Sequence, residues 1–106
     1  MLVISRFRVE AADAASFRID VERAAAVLAE RPGHLAGHVG RNVDDPELWV
    51  LSTQWENVGS YRRALSAYDV KLGAVPLLSR AIDEPSAYEV VESGTELNVE
   101  QTRSLG

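Results

Sequence analysis

Three observations on this 106-residue chain predict an α+β fold. Apolar residues alternate at its start, then recur at helical spacing, then return to strand-like runs on either side of an Asp44-Asp45-Pro46 turn. Leu2 to Val9 reads as the first strand, apolar on both faces at its start and partly polar by Arg6 and Arg8. Asp13 is a good helix cap, and Phe17, Val21, Ala24, Ala25 and Leu28 line one face of the helix that follows. Glu22, Arg23 and Glu30 form its solvated face, and Arg31-Pro32-Gly33 stops it. From Gly33 to Val43, Leu35, Val39 and Val43 alternate with His34, Ala36, His38 and Gly40, which predicts a second strand. Leu48 to Glu56 is the third strand, paired with the second as a hairpin whose loop is residues 44 to 47.

A second helical region starts at Asn57, a plausible cap, passes Tyr61, Ala64 and Leu65, and breaks near Ser66. A further turn is expected from Tyr68 to Ala74, before Pro76. Ala87 to Glu92, led in by Pro85, reads as a fourth strand. The domain is thus expected to span residues 1 to 92, followed by a polar tail over 93 to 106 with a faint alternation at Leu97 and Val99. The order βαββαβ with right-handed crossovers gives a four-stranded antiparallel sheet with both helices on one face, the ferredoxin-like arrangement. Two helices cover only one face, yet Leu2 to Ile4 and Leu48 to Leu51 offer apolar side chains to both. A second copy of the sheet is the simplest cover, so a homodimer is expected.

Composition narrows the function. The hydrophobic fraction of 46% and charged fraction of 25% are those of an ordinary soluble domain. No apolar run approaches the ~20 residues of a bilayer span, and Met1-Leu2-Val3-Ile4 enters a strand pattern directly, so no membrane association and a cytoplasmic location are expected. With no cysteine, disulfides, thiolate nucleophiles, iron–sulfur clusters and thiolate zinc sites are excluded. Eleven basic against sixteen acidic residues give a net charge of -5, with no basic stripe suited to nucleic acid. Gly33, Gly37 and Gly40 are spread along a strand rather than forming a phosphate cradle.

The candidate site is Trp55 at the end of the third strand and Tyr61 on the first turn of the next helix. A strand that exits straight into a helix brings the indole and phenol together over one corner of the sheet. That pairing is either a packed corner or the wall of a pocket for an aromatic ligand. His34 and His38 lie four residues apart on a strand, ~13 Å, too far to share one metal ion, so no metal site is predicted. His38 remains a candidate general base. Arg62 and Arg63 point about 100° apart on a helix, so at most one faces a pocket. Tyr68 is added to the pocket wall, and Arg80 is either an anion partner or paired with Asp83 or Glu84.

With Pro32-Gly33, the hairpin and the Trp55–Tyr61 pair, the element order resembles the antibiotic biosynthesis monooxygenase family of dimeric α+β barrels. The resemblance covers about residues 1 to 92. It implies a cofactor-independent monooxygenase that oxidises an aromatic or quinol-like small molecule with dioxygen. Of the site residues, the resemblance carries over Trp55 and Tyr61 as members of a substrate pocket, and it places no pocket arginine. With the residues' own chemistry, Trp55, Tyr61 and His38 are expected to be catalytic, and Tyr68, Arg62 and Arg80 substrate-binding. The family's asparagine, four residues before the tryptophan, falls on Leu51 and is missing. The haem-degrading branch fits less well, because its helix tryptophan and histidine fall near Ala64 and Ala74. A non-catalytic dimer that binds a small hydrophobic ligand, and a cyclase or isomerase on the same fold, are the alternatives.

Overall fold

A computed structural model describes residues 1–97. Its strands are β1 (Leu2–Arg8), β2 (His34–Arg41), β3 (Leu48–Trp55) and β4 (Ala87–Tyr88). The helices are α1 (Ala14–Ala29), α2 (Val58–Ser66), α3 (Tyr68–Gly73) and α4 (Val75–Leu78). The strand order is β2-β3-β1-β4, each neighbouring pair antiparallel, which is the ferredoxin-like topology.

The period-two pattern of the central strands sets the two faces of the sheet. Val3, Ser5 and Phe7 of β1, and Trp49, Leu51, Thr53 and Trp55 of β3, are buried beneath the helices. Against them α1 lays Phe17, Val21, Ala24 and Leu28, the stripe its sequence spacing predicts. Phe17 sits 5.1 Å from Phe7 and 5.4 Å, edge-on, from Trp49. Burying each such side chain contributes ~1.5–3 kcal/mol, so this layer dominates the stability. On the other face Leu2, Ile4, Leu48 and Val50 are half-buried and lie apart from the core cluster beneath the helices.

Two junctions fix the entry to α2. Asn57 caps the helix, its Oδ1 accepting from the Ser60 amide at 2.9 Å and the Ser60 hydroxyl at 3.1 Å. Gly33, at φ +89°, turns the chain from α1 into β2, and a Cβ there would run into the Ser60 side chain. Gly33→Ala combines a left-handed backbone with that collision. It is expected to cost more than ~1 kcal/mol, read as a lowered urea midpoint. An unchanged midpoint would show that the turn relaxes freely.

Several elements differ from the sequence reading, each for a physical reason. Asp13 precedes α1, but its side chain makes no cap hydrogen bond, because a short 3-10 turn over Ala11–Asp13 leads into the helix. A bulge between His34 and Ala36 shifts the register of β2. Leu35 is therefore 55% exposed, and Val43 falls in the loop after the strand at 96% exposed. Pro76 sits within the first turn of α4, where its missing N–H costs nothing, so it begins a helix rather than ending a turn. The fourth strand pairs through Ala87 and Tyr88 alone rather than through Glu92. Of the tail expected over 93 to 106, Val99 and the rest beyond residue 97 lie outside the described residues.

Candidate functional site

The short β4 is what opens a hollow in this fold. Ahead of it Pro85 has no N–H for a ladder, and residues 79–86 run beside β1 as a strap instead of pairing with it along its length. Two backbone bonds hold the strap: Ile82 donates to the Arg6 carbonyl at 2.8 Å, and Ile4 donates to the Ser86 carbonyl at 2.7 Å. A side-chain clasp adds to them. The Arg6 guanidinium donates twice to Glu84, at 2.7 Å from Nε and 2.7 Å from Nη2. Those hydrogen bonds hold the Glu84 carboxyl below the usual carboxylate range. Between strap, β1, α2 and α4 lies a cleft of about 620 Å³, within the usual range for small-molecule sites.

Its apolar walls include Leu65, Val75, Leu78 and Ile82, and its polar groups include Ser5, Tyr61, Asp83 and the Arg6–Glu84 pair. Tyr61 is half-buried, and its hydroxyl makes no hydrogen bond to any described residue. Burial pushes its phenol above the ordinary 10.0, so at neutral pH it is a proton donor. Ser5 is 7% exposed, and its hydroxyl likewise has no partner among the described residues.

Of the residues selected from sequence, this cleft holds Tyr61 and not the others. Trp55 lies behind Tyr61, with ring centroids 5.6 Å apart and planes tilted by 53°. It is 0% exposed, and its indole nitrogen donates to Thr53 Oγ1 at 2.9 Å. It meets the ring of His34 edge-on at 5.1 Å. The indole thus fills the corner and spends its polar tip inside the protein. His38 is exposed on β2 opposite Ser52, on the face turned away from the helices. His34 differs: its Nε2 is buried without a partner among the described residues, and desolvation lowers its pKa.

Tyr68 is 78% exposed at the start of α3. Arg62 borders a separate hollow of about 760 Å³ beside Met1, Val58 and Tyr88. Arg80 pairs with Asp20 at 3.4 Å rather than with Asp83 or Glu84, and its guanidinium lies 5.3 Å over the Phe17 ring. Among the described residues no three His, Asp or Glu side chains are grouped to hold a metal ion. No helix among them is long and apolar enough to cross a membrane. Sequence reasoning passed over Ser5, although a lone serine between Val3 and Phe7 on an apolar strand face was the available signal.

An antiparallel α+β sheet with helices on one face and a cleft between sheet edge and helices defines a class that serves many reactions. The family model for antibiotic biosynthesis monooxygenase matches residues 1–71, and the chain belongs to that family. No curated protein matches it. Among solved structures it is similar to a candidate antibiotic biosynthesis monooxygenase from Deinococcus radiodurans (20% identity, 92% of this chain and 100% of that one, TM-score 0.71). It is similar as well to SnoaB, a cofactor-independent oxygenase from Streptomyces nogalater crystallised as a point mutant (25% identity, 92% and 95% covered, TM-score 0.67). A conserved protein from Methanosarcina mazei shares the fold (19% identity, 81% and 84% covered, TM-score 0.66).

Proposed function

We propose that this protein is a monooxygenase that needs no cofactor and oxidises an aromatic ketone or quinol in the cleft beneath the strap. The observation that carries this reading is Tyr61: a half-buried phenol with a raised pKa and an unengaged hydroxyl, set among apolar walls. Family membership and the likeness to a cofactor-independent oxygenase support it.

The substrate supplies the electrons. Loss of a proton from a carbon conjugated to its carbonyl, the ring methylene opposite it in anthrone, leaves an enolate that dioxygen can oxidise. One oxygen atom enters the product and the other leaves as water, so anthrone and dioxygen give anthraquinone and water. Tyr61 donates to the enolate oxygen, which stabilises charge as it develops and lowers the barrier to forming the enolate. The apolar walls keep water away from the reactive carbon. His38 faces away from the cleft, whereas the Asp83 carboxylate borders it and carries no ion pair among the described residues. Asp83 is the better placed acceptor for the departing proton.

Oxygen consumption with an anthrone and quinol panel tests the reading. Uptake of one dioxygen per product, with one oxygen atom gained by the ring, is the expected outcome. Ligand binding without uptake would replace the enzyme with a binding protein, and a product of unchanged mass would make it an isomerase. The half-buried apolar residues on the other sheet face support a homodimer, expected as a doubled mass in sedimentation at micromolar concentration. A monomeric mass there would overturn the pairing.

A further inference from the structure

The geometry points to Ser5 as a second ligand-binding residue, one that selects molecules bearing an oxygen atom at the cleft's strand wall. Among the described residues three polar side chains are buried: Ser5, Thr53 and Ser60. Two are already engaged. Thr53 accepts from the Trp55 indole, and the Ser60 hydroxyl lies within hydrogen-bond reach of both Asn57 and Arg63. The Ser5 hydroxyl alone has no partner among the described residues, although the residue is 7% exposed.

Its neighbours give a serine no other purpose. Val3 and Phe7 flank it on the same face, and Leu51 lies across the ladder from it, all three nearly or fully buried. Ser5 Oγ is not among the fully enclosed unpartnered atoms, so it is open to water from the cleft, and a ligand that displaces that water must replace its hydrogen bond. Ser5 borders the cleft together with Tyr61. The remaining walls there are largely aliphatic: Leu65, Val75, Leu78 and Ile82. Two hydroxyls that can donate, set in an apolar cleft, suit a flat or compact hydrophobic body carrying a carbonyl or phenolic oxygen. They do not suit a bare hydrocarbon, which would leave both hydroxyls desolvated and unpaired.

This inference rests on the cleft being the ligand site of the proposed function, but it can fail separately. Anthrone and 9,10-dihydroanthracene differ by one carbonyl oxygen in place of a methylene hydrogen pair. Their affinities for the whole protein, measured by equilibrium dialysis without oxygen, isolate the contribution of that atom. The wild-type protein should prefer anthrone by about tenfold or more. Ser5→Ala should lower that preference by about five- to tenfold, leave dihydroanthracene binding within about twofold, and keep or raise the melting temperature. Ser5→Thr keeps the hydroxyl and should retain most of the preference.

An unchanged preference in Ser5→Ala would overturn the inference while leaving oxygen uptake, and with it the enzyme reading, intact. A preference lost in Ser5→Ala from a protein that consumes no oxygen would uphold Ser5 and sink the monooxygenase. If neither probe binds the wild-type protein, both readings fall. Equal weakening of both probes would mark Ser5 as packing alone and would overturn the inference as well.

Discussion

Tyr61→Phe is expected to reduce oxygen-dependent turnover by about 10²-fold or more while leaving the fold in place. The substitution removes one oxygen atom and keeps the ring that packs against Trp55 at 5.6 Å. Because that hydroxyl bonds to no described residue, its loss breaks no internal contact, and thermal stability should change little. The effect should fall mainly on kcat, since donation to an enolate strengthens as charge develops on the oxygen. The pH profile gives an independent check. Burial raises the Tyr61 pKa above 10.0, so the phenol stays protonated through neutral and mildly alkaline pH. An activity loss caused by Tyr61 ionisation should therefore have its midpoint on the alkaline side of pH 10, and the phenylalanine variant should lack that limb. Turnover within twofold of wild type would remove Tyr61 from the chemistry.

Trp55→Ala is expected to destabilise the protein by about 3–5 kcal/mol, a large share of the 5–15 kcal/mol typical of small domains. The indole is fully buried, and its removal leaves a void where β3 passes into α2. It also takes away the edge-on contact with His34 and the donor that Thr53 engages. Tyr61 would lose its backing, so activity should fall too, but through disorder of the phenol rather than through a lost substrate contact. Trp55→Phe separates the two roles: it restores much of the packing without the indole nitrogen and should recover most of the stability. Urea denaturation checks both variants. A cost below about 1 kcal/mol for the alanine variant would mean that the corner is loosely filled.

Much of the scaffold was legible because it depends on local periodicity. The spacing of Phe17, Val21, Ala24 and Leu28 defines the buried stripe of α1, and the alternation in β1 and β3 defines the covered face. The Asn57 cap was legible for the same reason, since its hydrogen bond reaches only three residues along the chain. What escaped depends on partners distant in sequence or on one inserted residue. Alternation in β2 could not reveal the bulge after His34, which turns Leu35 outward. The apolar residues Val90 and Val91 read as strand, but a strand is made by its neighbour, and β1 pairs only with Ala87 and Tyr88 there.

The site was harder still. Trp55 and Tyr61 do meet, as their spacing implies, but which of them borders open space is decided by the strap, far along the chain. The bond from Arg6 to Glu84 spans 78 residues, and that from Arg80 to Asp20 spans 60, beyond the reach of any local pattern.

The two sides of the cleft have different origins. Ser5, Tyr61 and Leu65 belong to the stretch matched by the family model, whereas Val75, Leu78, Ile82 and Glu84 come after it. The larger part of the cleft's lining therefore lies beyond the stretch that the family model describes. Substitutions between Ile82 and Ser86 would recast that side of the hollow, whereas changes at Val75, Leu78 or Ala81 would also reach the packed interior.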